Sequence, residues 1–114
     1  MNKELQLEIT TKGEVAVGSI KGDLTAVNGG SIEEAYRGMT REGVRKILFL
    51  FSKECYINSG GIAILIGIAS ASRKNGQAIR IAGLSDHFRK IFHMMGLTKY
   101  VAIFPTEEEA LKDF

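Results

Sequence analysis

The sequence has few of the residue types that metal sites and many enzyme sites need. Its 114 residues include two histidines and one cysteine. A single cysteine cannot form an intramolecular disulfide, and structural zinc sites combine several cysteine and histidine ligands. We therefore expect no disulfide, no metal site and no cofactor.

Excess charge of one sign and long apolar runs are also scarce. Fifteen basic residues against thirteen acidic ones leave a net charge of +2, too small to predict a nucleic-acid partner. The longest apolar run, residues 60–71, falls short of the roughly 20 residues of a membrane-spanning helix. The start, MNKEL, is charged and has no apolar stretch, so we expect no signal peptide. A lone cysteine suits a reducing compartment. We expect a cytoplasmic protein with no membrane insertion.

The rest of the sequence is typical of one globular domain over residues 1–114. Hydrophobic residues make up 45% and charged residues 25%, without repeats or linkers. Alternating or continuous apolar runs predict strands at residues 5–9, 15–20, 46–51, 78–82 and 101–104. Periodic patterns predict helices at residues 31–42, 59–74, 85–95 and from 106 onward. The order ββαβαβαβα predicts an α/β fold whose central mixed sheet combines an N-terminal hairpin with parallel strands, beside about four helices.

Helix starts can be predicted from capping residues. Ser31 and Thr106 are each followed three residues later by a glutamate, the spacing of a capping box, so both are predicted N-caps. The helix at residues 59–74 has two contrasting faces. Its small residues form one stripe: Gly60, Ala63, Gly67 and Ser70. Its apolar residues form another: Ile62, Leu65, Ile66 and Ala69.

The best candidate for a functional site is the segment before that helix, residues 55–61 (CYINSGG). A phosphate on Ser59 would lie at a helix N-terminus, where free N–H groups and the helix dipole favour negative charge. A purely structural interpretation stands beside this one. Asn58 or Ser59 serves as the N-cap, and Gly60 and Gly61 let the helix approach the sheet.

Several short motifs occur in the order found in a known family. They are residues 22–24 (GDL), 57–62 (INSGGI), 73–76 (RKNG), 92–97 (FHMMGL) and 103–111 (IFPTEEEAL). Together they resemble the STAS domain of bacterial anti-sigma factor antagonists, over nearly the whole chain. In that family the serine at the position of Ser59 is the phosphorylation target. Asn58, Gly60 and Leu50 stand where the family usually has Asp, Ser and Asp.

The resemblance implies a partner-switching regulator. Such a protein binds an anti-sigma factor, often a serine kinase, and releases the sigma factor, while phosphorylation at Ser59 and a cognate phosphatase control the binding. The implied partner-binding face combines residues 25–31, residues 58–61 and the small-residue face of the following helix. Its predicted residues are Asp23, Thr25, Asn28, Asn58, Ser59, Gly60, Gly61 and Ala63.

Other functions stay open at this point. The missing acidic residues favour a STAS docking or scaffold module without phosphorylation, such as a stressosome-like protein or an accessory subunit of lipid transport. Binding of a nucleotide or other small ligand at the same loop is a weaker alternative, and a weak homodimer is left open. An enzyme is not expected, because Ile57 occupies the first glycine position of a Gly-x-Ser-x-Gly nucleophile elbow around Ser59.

Overall fold

A computed structural model describes residues 3–114, which form a five-stranded sheet with helices on both faces. In chain order the elements are β1 (Gln6–Lys12), β2 (Val15–Lys21), β3 (Asp23–Leu24), α1 (Gly30–Arg41), β4 (Lys46–Phe51), β5 (Tyr56–Ile57), α2 (Ser59–Lys74), β6 (Ala78–Ala82), α3 (Asp86–Met94), a 3-10 turn (Leu97–Lys99), β7 (Ala102–Phe104) and α4 (Glu107–Leu111). The sheet order is β1-β2-β4-β6-β7. Only the β1–β2 pair is antiparallel in this sheet. No helix among these residues has both the length and the apolar character to cross a membrane.

The strand β4 lies at the centre of the sheet because its side chains are apolar on both faces. Ile47 and Phe49 belong to the larger core cluster, which α1, α2 and α3 cover. Leu48 points to the other face and packs in a smaller cluster with Ala110 of α4. The continuous apolar run at residues 46–51 therefore supplies both halves of the core.

The predicted order of the main-sheet strands and the four helices is confirmed, with β3 and β5 as two additional short strands. The helix α2 has the predicted bounds. Thr106 caps α4 as expected, since its side chain accepts a hydrogen bond from the Glu109 N–H. The capping prediction at Ser31 is wrong. Gly29 is the N-cap of α1 and makes no side-chain cap, while the Ser31 hydroxyl donates to the Asn28 carbonyl. A Cβ at Gly29 would collide with the Ile64 side chain of α2 and lie 2.9 Å from the Thr25 carbonyl oxygen, so the start of α1 packs closely against its surroundings.

Candidate functional site

The candidate site lies beyond the carboxyl ends of β2 and β4. The chain leaving each strand forms a two-residue strand, β3 or β5, and these pair in parallel. The Asn58 N–H extends this pairing by donating to the Leu24 carbonyl over 3.1 Å. The small second sheet was not predicted from the sequence, because a two-residue strand has no periodicity to detect. It holds residues 25–29 beside the start of α2.

Asn58 is the N-cap of α2. Its Oδ1 accepts from the Gly61 N–H at 2.9 Å, and its carbonyl accepts from the Ile62 N–H at 3.0 Å. The capping interpretation is therefore confirmed for Asn58. Ser59 is the first residue of the helix and is exposed. Because the cap is supplied by its neighbour, the Ser59 hydroxyl is not needed to start the helix and lies at its positive end.

Gly60 and Gly61 allow α2 to contact the loop after β2. A Cβ at Gly60 would lie 2.6 Å from the Ala26 Cβ, and one at Gly61 would collide with the Leu24 carbonyl oxygen. Close approach of two backbones is the common reason for glycine at such places. The structural interpretation of the two glycines is thus correct: they bring the two segments of the candidate site into contact.

Asn28 determines the shape of the loop at residues 25–29. Its Nδ2 donates to the Asp23 carbonyl at 2.7 Å, while its Oδ1 accepts from the Thr25 N–H at 2.8 Å and from the Thr25 hydroxyl at 3.2 Å. This network leaves the two intervening residues, Ala26 and Val27, exposed at the tip. Val27 is 96% exposed, the largest value among the exposed large hydrophobic side chains. The sequence-based prediction included the loop at residues 25–31 but did not single out Val27, because a single apolar residue in a loop has no pattern around it.

Asp23 is 7% exposed and forms part of the framework beneath the surface. Its Oδ2 accepts from the Lys3 N–H at 3.0 Å, which ties the N-terminal segment to β3. Asp23 also lies close enough to Cys55 to affect its ionisation. Of the eight residues predicted for partner binding, Asp23 is the only ionisable one, so those at the surface carry no charge.

The eight residues predicted for partner binding form one contiguous group, and its innermost members are buried. Asp23 and Gly61 are buried. Four others are half-buried: Thr25, Asn28, Asn58 and Gly60. Ser59 and Ala63 are exposed on α2, and Ala63 continues the helix face of Ser59 one turn further on. In residues 3–114, no three metal-ligating side chains of the His, Cys, Asp or Glu type come together.

Cys55 is expected to react slowly with alkylating reagents. Burial, reinforced by the negative charge of Asp23, raises the pKa of its thiol from 9.0 to about 11. At pH 8 the thiolate fraction is then about 100-fold below that of an unperturbed cysteine, since each pKa unit is a factor of ten. We expect iodoacetamide labelling of the folded protein, followed by mass spectrometry, to be at least about 100-fold slower than labelling in denaturant. Equal rates would contradict the buried placement of the thiol.

Several known proteins resemble this chain in sequence. Residues 6–110 match the STAS domain family. The anti-sigma-B factor antagonist of Staphylococcus aureus is 27% identical over 93 residues, which cover 82% of this chain and 86% of that protein. The anti-sigma-F factor antagonist RsfB of Mycobacterium tuberculosis is 29% identical over 99 residues, covering 85% of this chain and 79% of that protein.

Solved structures match the fold at lower sequence identity. The crystal structure of an anti-sigma factor antagonist from Mycobacterium paratuberculosis aligns with a TM-score of 0.82 and 20% identity, covering 95% of this chain and 92% of that one. The Bacillus cell fate determinant SpoIIAA, in its phosphorylated form, aligns with a TM-score of 0.66 and 22% identity. That alignment covers 95% of this chain and 96% of SpoIIAA. At these identities the structural likeness concerns the fold.

Proposed function

Because the chain belongs to the STAS domain family, we propose that it is an anti-sigma factor antagonist that binds an anti-sigma factor and so frees a sigma factor. The observation that carries the proposal is the contact between residues 25–29 and the start of α2, which joins two loops into one exposed surface. Its action is binding, without catalysis of its own, in the cytoplasm where sigma factors act. The named relatives from Staphylococcus and Mycobacterium support this class of function.

The proposed contact surface consists of Ala26, Val27, Ser59 and Ala63, which are all exposed. Three of these four side chains are apolar, and none carries a charge. The hydrogen bonds of Asn28 and Asn58 hold the backbone beneath them in one conformation. A rigid surface loses little conformational entropy when a partner binds, so more of the contact free energy appears as affinity.

Ser59 is the proposed control point of this surface. Its hydroxyl is exposed at the start of a 16-residue helix, where a phosphate is electrostatically favoured. We propose that the anti-sigma factor is a serine kinase that transfers the γ-phosphoryl group of ATP to the Ser59 Oγ. The step releases ADP and the hydroxyl proton, and a phosphatase reverses it by hydrolysis. A structure of the similar Bacillus protein SpoIIAA is of its phosphorylated form, which supports such control.

The substitution Ala63→Arg is expected to weaken anti-sigma factor binding about tenfold or more. Ala63 lies on the proposed contact surface, and the long charged side chain would have to be displaced or desolvated in the complex. Isothermal titration calorimetry with an anti-sigma factor of the serine-kinase type from the same organism measures the affinity.

Ala78→Arg is the matched control for that experiment. Ala78 is also exposed, but it begins β6 at the opposite end of the parallel strands. This variant should bind as the unmodified chain does. If both arginine variants bind with unchanged affinity, the partner does not use the proposed surface. If the unmodified chain binds no anti-sigma factor at all, the proposed function itself is wrong.

A docking module without phosphorylation is a second candidate, favoured by the chemistry next to Ser59. Asn58 is neutral, and its amide oxygen already caps α2. The nearby Asp23 is buried, with its carboxylate engaged by the Lys3 N–H. No carboxylate among the predicted binding residues is therefore available at the surface to position a kinase. In this second case the same surface binds a scaffold partner constitutively.

A further inference from the structure

The two edges of the main sheet differ in how well they are protected against pairing with another strand. The strand β7 at one edge has three residues and is followed by Pro105, two common features of protected edges. The strand β1 at the other edge has seven residues and no proline, and it pairs residue for residue with β2 without a bulge. The outer side of β1 is therefore a regular, open template for a further strand.

The hairpin geometry determines which backbone groups of β1 face outward. A two-residue turn with Gly13 at φ +62° joins Lys12 to Val15, and the residues flanking such a turn exchange hydrogen bonds with each other. Because the direction of the backbone groups alternates along a strand, those of Leu7, Ile9 and Thr11 point away from β2. The Ile9 side chain is also 44% exposed, so it is accessible to a partner at this edge.

We propose that two copies of this chain associate through β1, which pairs with the β1 of the second copy in antiparallel fashion about a two-fold axis at Ile9. This register aligns all seven residues of each strand. It places Leu7 opposite Thr11 and Ile9 opposite Ile9. Every outward-facing N–H and carbonyl group of β1 then has a partner on the second copy, which gives about six hydrogen bonds. The two sheets then continue into one another, and the exposed Ile9 side chains cover each other.

The side chains of β1 are complementary to themselves in this register. On the remaining face Glu8 lies opposite Thr10, and Gln6 lies opposite Lys12. No two like charges lie directly opposite each other, and the diagonal neighbours of Glu8 in the second copy are one acid, Glu8, and one base, Lys12. Opposed like charges are the usual obstacle to such pairing, and the same residue pattern on both partners is what a two-fold interface needs. A second copy of the chain is therefore the occupant that fits this edge.

The contact is a short one, so the expected dimer is weak, with a dissociation constant on the order of 10 µM. Sedimentation velocity of the purified chain, at concentrations from about 1 to about 200 µM, measures it. Because no other protein is present, the result is independent of the proposed anti-sigma factor binding. A chain that stays monomeric throughout this range overturns the proposal.

Two substitutions at Thr10 test the register itself. Thr10→Lys places a cation opposite Glu8 of the second copy on both sides of the axis, whereas Thr10→Glu places an anion there. We expect the lysine variant to dimerise about tenfold more tightly than the glutamate variant. Thr10 is exposed, so both monomers should fold alike, which circular dichroism checks. Equal dimerisation of the two variants, or tighter dimerisation of Thr10→Glu, overturns the proposed pairing.

The substitution Ile9→Lys tests the contact at the two-fold axis. It places two lysines opposite each other at the axis, and it should raise the dissociation constant about tenfold or more. Val27→Lys is the matched control, since Val27 is also an exposed aliphatic residue but lies in the loop after β3. It should leave dimerisation unchanged. If it weakens the dimer as much as Ile9→Lys does, the contact does not run through β1.

Discussion

Gly61→Ala is expected to lower the free energy of unfolding by about 3 kcal/mol. The added methyl group would collide with the carbonyl oxygen of Leu24, a backbone atom that cannot move aside as a flexible side chain could. Leu24 is fully buried, and its carbonyl also accepts from the Asn58 N–H. To accommodate the methyl group, the start of α2 must move away from β3, with loss of packing in the larger core cluster. Urea unfolding followed by circular dichroism measures the change.

Gly67→Ala is the matched control, because it makes the same substitution in the same helix. A Cβ at Gly67 meets no other atom within 4 Å, and alanine is a better helix former than glycine. This variant should be more stable than the unmodified chain by up to about 1 kcal/mol. If the two alanine variants have equal stability, α2 does not approach β3 closely enough for a Cβ at position 61 to collide with Leu24.

Ser59→Glu is expected to weaken anti-sigma factor binding at least about 100-fold, or about 2.7 kcal/mol. The reason is that the proposed contact surface around Ser59 carries no charge, so a carboxylate there must lose water without gaining a partner. The fold should not suffer, since a negative charge in the first turn of a helix stabilises it by about 0.3–1 kcal/mol. Titration calorimetry gives the affinity, and thermal melting gives the stability.

Ser59→Gln separates charge from size, because glutamine has nearly the shape of glutamate without its charge. We expect its affinity to lie much closer to that of the unmodified chain, and Ser59→Ala should bind normally. Should the glutamate variant bind as tightly as the glutamine variant, control by phosphorylation at Ser59 would be wrong. The docking module without phosphorylation would then be the better description of this surface.

The local sequence determined the elements and the kind of fold. The continuous apolar run at residues 46–51 had to lie between two layers, since neither of its faces tolerates water, and β4 is the central strand. The bounds of α2 followed from its length and from the cap and turn residues at its ends. Such features depend on neighbours within a few residues, which is why they can be predicted without knowing the rest of the structure.

The tertiary structure decided what the polar and small residues of the site do. Ser31 has the spacing of an N-cap, yet the N-cap of α1 is Gly29, which packs against Ile64 of α2. Asp23 is predicted from the sequence to bind the partner, yet it is buried near Cys55. The surroundings of Asp23 depend on a contact with a segment that is distant along the chain, which no local pattern encodes.

The composition alone shows the scarcity of histidine and cysteine, and this scarcity favours binding over catalysis. The composition does not show which surface could bind a partner. The loop at residues 25–31 belonged to the predicted face, but Val27 was singled out only by its exposure at the loop tip, which the short pairing of β3 with β5 holds beside α2. The open edge at β1 likewise emerged only from the order of the strands, because an edge is a property of the assembled sheet and not of any one strand.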